Sequence, residues 1–233
     1  MKAAAFCATR NMYVDLAPPI KALLVNSDVE KIFLFLEDDD PGVYLPSECE
    51  VVNISGQQIF PHSGPNYTNP WSWIVLMRAA YYQLLPDVDR VLSIDLDAFA
   101  LKDISGLWTM PLGNKLLAAV RETTQLSRPG LPYYNVGVMV QNLDALRCTG
   151  RGADVVSALN RRRWQYPEQD AFNAVCSGAI LPLPPEYNAG RGTAPWGEPA
   201  IRHFMGEQKT FRQEPIVRYF RELPWEEVRP CRS

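Results

Sequence analysis

Residues 90–97 read Arg90-Val91-Leu92-Ser93-Ile94-Asp95-Leu96-Asp97, an apolar run that ends in two carboxylates one residue apart. The run predicts a buried strand, and the two-residue period of a strand puts Asp95 and Asp97 on one face. Neighbouring carboxylates at the end of a buried strand repel each other and lose hydration, so a cation or a proton must compensate. A divalent metal is one interpretation. The other is that one Asp caps the following segment while its neighbour faces solvent.

The segments on both sides of this strand alternate between apolar strands and helical stretches. Upstream, strands are predicted at residues 3–8, 31–36 and 50–54, with helical stretches before residue 25 and over Trp71 to Leu85. Downstream, the patterns predict strands at residues 116–120, 133–142, 179–181 and 200–204, and helices at residues 101–108, 153–164 and from Pro167. Apolar strands joined through helices are typical of a parallel sheet with both faces covered. We therefore predict an α/β protein with a mostly parallel central sheet flanked by helices.

The composition is that of an ordinary globular protein. The 233 residues are 47% hydrophobic and 21% charged, and the net charge is -3. This balance attracts neither nucleic acid nor an anionic membrane, so we expect no nucleic-acid partner. The start of the chain does not resemble a signal peptide, and no apolar run is long enough to span a bilayer, so we expect no transmembrane segment.

The cysteines indicate the cellular compartment, and the lack of a linker indicates the domain organisation. Five cysteines are scattered without a CxxC spacing, which is typical of reduced thiols in a cytoplasmic protein. No internal repeat or low-complexity linker divides the chain. We expect one domain over residues 1–210, followed by a C-terminal segment, residues 211–233, that packs on it or trails from it.

Open parallel sheets bind ligands at the carboxyl ends of their strands, and Asn11 and the two aspartates are expected there. Asn11 follows the first strand there. Arg78 is the only charge in the apolar helix before the Asp pair, and its guanidinium needs either a structural ion pair or a ligand group. Glu168 and Asp170 follow Pro167 at a helix start, where the helix dipole alone would explain acidic residues.

Separated stretches of the chain occur in an order and spacing that resembles glycosyltransferase family 8, the retaining enzymes related to bacterial lipopolysaccharide galactosyltransferases and glycogenin. The stretches are Arg78, seventeen residues before Asp95; Ser93-Ile94-Asp95-Leu96-Asp97; Tyr134-Asn135-Val136-Gly137; Pro167-Glu168-Gln169-Asp170; and His203-Phe204-Met205-Gly206-Glu207-Gln208-Lys209. Each motif alone is weak, and their order and spacing carry the specificity. The resemblance covers most of residues 3–210.

The resemblance implies a GT-A fold, the Rossmann-like fold of nucleotide-diphospho-sugar transferases. It also implies a donor of the UDP-glucose or UDP-galactose class and a divalent ion held by Asp95, Asp97 and His203. Oxygen ligands and one imidazole suit Mn²⁺ better than Ca²⁺, with Mg²⁺ as the second candidate. The ion would act as a Lewis acid on the leaving diphosphate. The implied donor-binding residues are Ala8, Thr9, Asn11, Arg78, Asp95, Asn135, Gly137, Gly206 and Lys209.

By the same resemblance, Gln169 would lie near the anomeric carbon of the donor sugar. Retention of configuration needs either a covalent intermediate on a carboxylate or departure and attack on the same face. Gln169 is a poor nucleophile but can stabilise developing positive charge. We therefore favour same-face attack, in which the leaving phosphate oxygen takes the proton of the acceptor. Asp170 or Glu168 is the nucleophile if the covalent route holds.

Two positions depart from the family pattern. Thr9 stands where the family usually has an Asp near the uracil, which leaves the base of the donor open. Glu168 stands where Asp is more frequent, and its longer side chain alters which sugar hydroxyl it can accept from. The chain also lacks the basic, aromatic tail that anchors some relatives to membranes. We therefore expect the acceptor hydroxyl to belong to a glycan or to a soluble molecule.

Two other functions fit parts of the pattern. A GT-A-like domain that binds a nucleotide or a glycan without turnover could keep the same residues. A phosphatase of the haloacid dehalogenase type would use Asp95 as nucleophile and Asp97 as acid. That class usually carries the pair near the N-terminus, followed by a small residue and Thr, whereas Ala98-Phe99 follows here. We therefore expect an active glycosyltransferase.

Overall fold

The computed structural model describes residues 1–123, 131–193, 197–206 and 210–228. The strands are β1 (Ala3–Ala8), β2 (Lys31–Leu36), β3 (Cys49–Asn53), β4 (Arg90–Ile94), β5 (Ala98–Ala100), β6 (Leu117–Arg121), β7 (Tyr134–Asn142), β8 (Ile180–Leu183) and β9 (Ile201–His203). The α-helices are α1 (Ala17–Val25), α2 (Tyr81–Leu84), α3 (Gly106–Thr109), α4 (Leu143–Cys148), α5 (Arg151–Arg161), α6 (Pro167–Val175) and α7 (Pro215–Glu222). Short 3₁₀ helices occupy Arg10–Asp15, Trp73–Ala80, Pro185–Asn188, Phe211–Gln213 and Trp225–Glu227.

Within the described residues, seven strands form the central sheet in the order β3-β2-β1-β4-β7-β6-β8. Strands β3, β2, β1 and β4 run parallel to one another, and β8 runs parallel to β6. Strand β7 is antiparallel to β4 and β6. The predicted α/β fold with a mostly parallel sheet is therefore confirmed. The strand order reverses between β1 and β4, which is where open α/β sheets leave a crevice for ligands.

Both faces of the sheet are buried, because the side chains of each strand alternate between two apolar clusters. Ala5 and Val91 point into one cluster, which also contains side chains of the 3₁₀ helix Trp73–Ala80 and of α4, α5 and α6. Phe6 and Leu92 point into the other, which contains side chains of α1 and α3. Burial on both faces explains why these strands are continuous apolar runs in the sequence.

The apolar segment before β4 differs from the single helix that its sequence predicts over Trp71 to Leu85. The structure has a 3₁₀ helix over Trp73–Ala80, and only α2 is α-helical. Aromatic and β-branched residues at 73–75 have a low preference for the α-helix. The 3₁₀ winding aligns residues three apart, and Val75 and Arg78 both line a cleft at the edge of the sheet.

A second, two-stranded sheet brings two distant parts of the chain together. Strand β5 pairs antiparallel with β9, so that Ala98 lies opposite His203. The N–H of Phe204 donates to the carbonyl oxygen of Asp97 at 2.9 Å. This pairing places His203 beside the end of β4. Neither β5 nor α4 is predicted by the sequence, because such short elements show no clear period.

The described C-terminal residues, 211–228, pack against the rest of the molecule. Val217 and Phe220 of α7 share an apolar cluster with Ala22 of α1 and with Phe99. The Arg212 guanidinium donates to both carboxylate oxygens of Asp15, at 2.8 and 2.5 Å. Across the four described ranges, none of the helices has the length and apolarity needed to cross a bilayer.

Candidate functional site

Asp95, Asp97 and His203 converge just beyond the end of β4. One ligand atom from each side chain lies within 4.8 Å of the other two. The Nε2 atom of His203 is 3.4 Å from Oδ2 of Asp95 and 3.2 Å from Oδ1 of Asp97. The structure thus brings together the three side chains that were expected to hold a metal. Two carboxylates and one imidazole can hold a divalent cation.

The electrostatic surroundings keep Asp97 ionised. Burial by itself raises the pKa of Asp97, but the nearby His203 and Arg78 outweigh that effect and lower the pKa below its ordinary value. An ionised carboxylate beside a second carboxylate favours a bound cation, because the cation offsets their mutual repulsion and lost hydration.

The Arg78 guanidinium lies between two acidic side chains. It forms an ion pair with Oδ1 of Asp95, lies 3.8 Å from Oε1 of Glu168 and donates to the carbonyl oxygen of Val136 at 3.3 Å. Burial raises the pKa of Glu168, and the positive charge of Arg78 partly offsets this rise. Of the two alternatives for Arg78, the structure shows the ion pair, and the same side chain also lines the cleft.

Strand β7 passes so close to the three converging side chains that only a glycine fits at position 137. A Cβ atom on Gly137 would overlap Cε1 of His203 and lie 2.5 Å from Oδ2 of Asp95. The N–H of Asp95 donates to the carbonyl oxygen of Gly137 at 2.8 Å. The glycine therefore leaves room for the imidazole and the carboxylate to approach each other.

The Gln169 amide is buried and held by hydrogen bonds at both ends. Its Nε2 donates to Oε1 of Glu122 at 3.1 Å and to the hydroxyl of Tyr133 at 3.3 Å. Its Oε1 accepts from the N–H of Val136 at 3.2 Å. These contacts fix the direction of the amide, with its oxygen toward β7.

Asp170 has a structural role in the described contacts. Its Oδ2 accepts from the N–H of Tyr166 at 2.8 Å, which satisfies a free donor at the start of α6. Its Oδ1 accepts from the hydroxyl of Tyr133 at 2.5 Å. Burial, together with Asp170, raises the pKa of Tyr133, so this hydroxyl keeps its proton. Glu168 and Gln169 line the cleft, and Asp170 is not among its lining residues.

Two adjoining clefts open around these side chains and share Trp71, Arg78, Asp95, Asp97 and Glu168 in their walls. The larger cleft has a volume of about 780 Å³, and the smaller has a volume of about 280 Å³. The larger cleft is also lined by Glu122, Asn135, Gly137, Gln169, His203, Met205 and Gly206. The smaller cleft is also lined by Asn11, Met12, Ile74, Val75, Phe211 and Arg212.

The expected donor-binding residues near the N-terminus lie beside the smaller cleft, and only Asn11 among them lines it. Ala8 is the last residue of β1, and its side chain is buried. Thr9 follows, and its hydroxyl donates to Oδ1 of Asn11 at 2.6 Å. Thr9 thus holds the Asn11 amide at the cleft wall. Lys209 lies outside the described residues.

The sequence model for glycosyl transferase family 8 matches residues 43–213, which is more than half of the chain. The chain belongs to glycosyl transferase family 8. This confirms the family that the spaced motifs indicate.

Curated relatives and solved structures agree with family 8. General stress protein A of Bacillus subtilis (strain 168) is 28% identical over 169 residues, which are 58% of this chain and 59% of that protein. The lipopolysaccharide 1,2-glucosyltransferase of Escherichia coli (strain K12) is 32% identical over 136 residues, 52% of this chain and 40% of that protein. The matched region thus spans between two fifths and three fifths of these relatives.

The solved galactosyltransferase LgtC, in complex with donor and acceptor sugar analogs, superposes with a TM-score of 0.68 at 16% identity. The match covers 96% of this chain and 98% of that chain. This likeness shows the fold and confirms the expected GT-A architecture for this family 8 chain.

Two further residues that contact the candidate site side chains have no signal in the sequence that would single them out. Glu122 is buried and accepts from both Asn135 and Gln169. Asn188 is fully buried and contacts the imidazole of His203. Only the folded chain brings Glu122 to the wall of the larger cleft and Asn188 to the imidazole of His203.

Proposed function

We propose that this chain transfers a hexose from a nucleotide-diphosphate sugar to an acceptor hydroxyl, with retention of configuration and with the help of a divalent metal. The observation that carries the proposal is the convergence of Asp95, Asp97 and His203 in the cleft of a family 8 chain. The similarity to the lipopolysaccharide 1,2-glucosyltransferase and to the galactosyltransferase LgtC supports a hexose donor. The proposed donor is a UDP-sugar of the glucose or galactose class.

The three converging side chains fit a divalent ion, and we propose Mn²⁺, with Mg²⁺ as the second candidate. The fit rests on their donor set and on the space that Gly137 leaves between His203 and Asp95. When bound, the ion would supply Lewis-acid stabilisation to the leaving diphosphate. Arg78 then holds Asp95 from the opposite side and orients its carboxylate toward the imidazole.

The two clefts support a division of the donor between them. One part of the smaller cleft is lined by the apolar side chains of Met12, Ile74, Val75 and Phe211 and by the Asn11 amide, which suits a nucleoside. The larger cleft carries Asn135 and Gln169 and has room for a sugar ring and an acceptor. Arg78, Asp95 and Asp97 lie where the clefts meet, and we propose that the diphosphate binds there. Gly206 lines the larger cleft, and we propose that Lys209 adds a positive charge to the same diphosphate.

The contacts of α6 favour same-face attack over a covalent intermediate. Asp170 is engaged by Tyr133 and Tyr166 and does not line the cleft. Glu168 lines the cleft but faces Arg78. The Gln169 carbonyl oxygen has a fixed direction, and we propose that its second lone pair stabilises positive charge developing on the anomeric carbon. The leaving phosphate oxygen would then take the proton of the acceptor hydroxyl.

We further propose that residues 1–210 form the transfer domain and that the described part of the C-terminal segment, residues 211–228, belongs to the same body. The packing of α7 on α1 supports this division. The acceptor is proposed to be a hydroxyl of a glycan or of a soluble molecule. The free thiols of Cys7, Cys49, Cys148 and Cys176 support a reducing compartment such as the cytoplasm.

A nucleotide-sugar panel tests the proposal. The protein is incubated with Mn²⁺ and UDP-glucose, UDP-galactose or other nucleotide sugars, and released nucleoside diphosphate is measured against a metal-free blank. Release above the blank with at least one donor is the expected result. Binding without release indicates an inactive GT-A-like domain. Release of inorganic phosphate from a generic phosphoester with Mg²⁺, and no release from nucleotide sugars, indicates an Asp-based phosphatase.

A further inference from the structure

The His203 imidazole has its second nitrogen in a hydrogen bond that points away from the two aspartates. Its Nδ1 lies 2.7 Å from Oδ1 of Asn188. Asn188 and His203 are both buried, at 0% and 3% exposure. Asn188 ends the 3₁₀ helix between β8 and β9, and the next residue, Ala189, bonds through its carbonyl oxygen to the N–H of His203 at 3.0 Å. The backbone therefore fixes the two side chains beside each other.

The direction of the Asn188 amide follows from its neighbours. The Asn188 Nδ2 donates to Oδ1 of Asn135 at 2.8 Å. That Asn135 oxygen also accepts from the N–H of Gly137 at 3.0 Å, and the Asn135 Nδ2 donates to Oε1 of Glu122 at 2.9 Å. A backbone N–H can only donate and a carboxylate can only accept, so the Asn135 amide has one orientation.

The orientation of the Asn135 amide fixes that of the Asn188 amide, which in turn fixes the tautomer of the His203 imidazole. Because the Asn135 oxygen faces Asn188, the nitrogen of Asn188 must face Asn135, and its oxygen must face Nδ1 of His203. An oxygen acceptor at this distance requires the hydrogen to be on Nδ1. In the neutral imidazole, which is the form that binds a metal, the lone pair is then on Nε2, the nitrogen that faces Asp95 and Asp97.

We propose that Asn188 is a positioning residue of the metal site. It holds His203 in the tautomer and ring orientation that present Nε2 to a divalent ion between Asp95 and Asp97. Outer hydrogen-bond partners of this kind fix metal-binding histidines in many proteins. The inference rests on the proposed function, because it assumes that the three converging side chains hold a metal.

The proposal is tested without turnover by titrating the donor-free protein with Mn²⁺. The EPR signal of the free ion measures how much Mn²⁺ remains unbound, and so gives the Mn²⁺ affinity. Asn188→Ala should weaken Mn²⁺ binding by about 10- to 100-fold. Asn188→Asp keeps an oxygen that accepts from Nδ1 and loses only the donor to Asn135, so Mn²⁺ binding should recover most of the loss seen in Asn188→Ala. If Asn188→Ala does not fold, Asn188→Ser replaces it, because a serine hydroxyl is too short to restore the same bond.

Asn66→Ala is the matched control. Asn66 is also a buried asparagine, at 2% exposure, and its Nδ2 donates to the carbonyl oxygens of Leu159 and Arg162, at 2.6 and 2.7 Å. It does not line either cleft. Asn66→Ala should therefore lower the unfolding temperature and leave the Mn²⁺ affinity unchanged.

The outcomes separate this inference from the proposed function. Wild-type protein that binds Mn²⁺ while Asn188→Ala or Asn188→Ser binds it equally well overturns the role of Asn188 and leaves the proposed function standing. A loss that Asn188→Asp does not restore also overturns it, since the oxygen acceptor is then not what matters. Wild-type protein that binds no Mn²⁺ contradicts the metal site itself, and the inference falls with it.

Discussion

The Asp97 carboxylate shows how single side chains determine the chemistry proposed for the cleft. It lies 3.2 Å from the imidazole, and its pKa is lowered despite burial. The side chain is thus held ionised, with a nitrogen ligand beside it and a second carboxylate on the same turn. These are the properties of a cation ligand.

Asp97→Asn tests this role. The change removes the charge and keeps the shape, so the fold should remain while Mn²⁺ affinity and Mn²⁺-dependent donor binding fall. The loss should exceed about 100-fold, since loss of even an outer partner typically costs about 10- to 100-fold. Isothermal titration with Mn²⁺ and UDP measures it. The control is Asp154→Asn, an exposed carboxylate on α5. An unchanged affinity in Asp97→Asn would refute the metal role.

Gln169→Ala separates binding from catalysis. If the Gln169 oxygen stabilises the transition state, removing it should lower kcat by about 100-fold or more and change donor affinity much less. Gln58→Ala, at an exposed glutamine, is the control. Steady-state kinetics with the best donor of the panel give both quantities. Weakened donor binding with an unchanged kcat would show that Gln169 acts only in binding.

At the residue scale, the sequence identifies the motif side chains but not the residues that orient them. Asp95, Asp97 and His203 are recognisable because their spacing in the chain follows a family pattern. Glu122 and Asn188 act through contacts between chain-distant positions, which only the folded structure reveals. The sequence also leaves the role of Asp170 open, and its hydrogen bond to the N–H of Tyr166 favours the helix-start interpretation.

The strands and loops next to the cleft explain how the side chains meet. Asp95 and Asp97 lie between β4 and β5, His203 ends β9, and the pairing of β5 with β9 brings them together. The long buried strands are predictable because apolar runs of their length are distinctive. The pairing of β5 with β9 is not, because each strand has three residues and their alignment depends on tertiary contacts.

Strand β7 supports a prediction at this scale. Gly137→Ala places a methyl group where His203 and Asp95 approach each other, so one of them must move. Mn²⁺ affinity should fall by about tenfold or more, as expected when ligand geometry is disturbed. Titration with Mn²⁺ measures the effect. Gly56→Ala is the control, because a Cβ atom at Gly56 meets no atom within 4 Å. Unchanged Mn²⁺ affinity in Gly137→Ala would show that the site tolerates the methyl group.

At the scale of the whole molecule, residues 211–228 of the C-terminal segment pack against the rest of the protein. Helix α7 buries Val217 and Phe220 against α1 and β5, while the neighbouring Tyr219 is 56% exposed. The ion pair between Arg212 and Asp15 joins the same segment to the residues after β1. The packing predicts that the segment contributes to the stability of the fold.

Phe220→Ala measures that contribution. Removing a buried Phe side chain typically costs about 3–5 kcal/mol of unfolding free energy, which corresponds to roughly 6–20 °C in Tm for a chain of this size. Tyr219→Ala is the control on the same helix, and its exposed side chain should cost about 1 kcal/mol or less. Urea unfolding and calorimetry test both. Equal, small effects of the two changes would show that α7 contributes little to the stability of the fold.

The central claim is that one divalent ion binds between the two aspartates that follow β4 and His203 at the end of β9. Anomalous diffraction at the manganese edge, on crystals grown with Mn²⁺ and UDP, tests it most directly. The account predicts a single strong anomalous peak within coordination distance of Asp95, Asp97 and Nε2 of His203. A peak elsewhere, or no peak with His203 turned away from both aspartates, would contradict it.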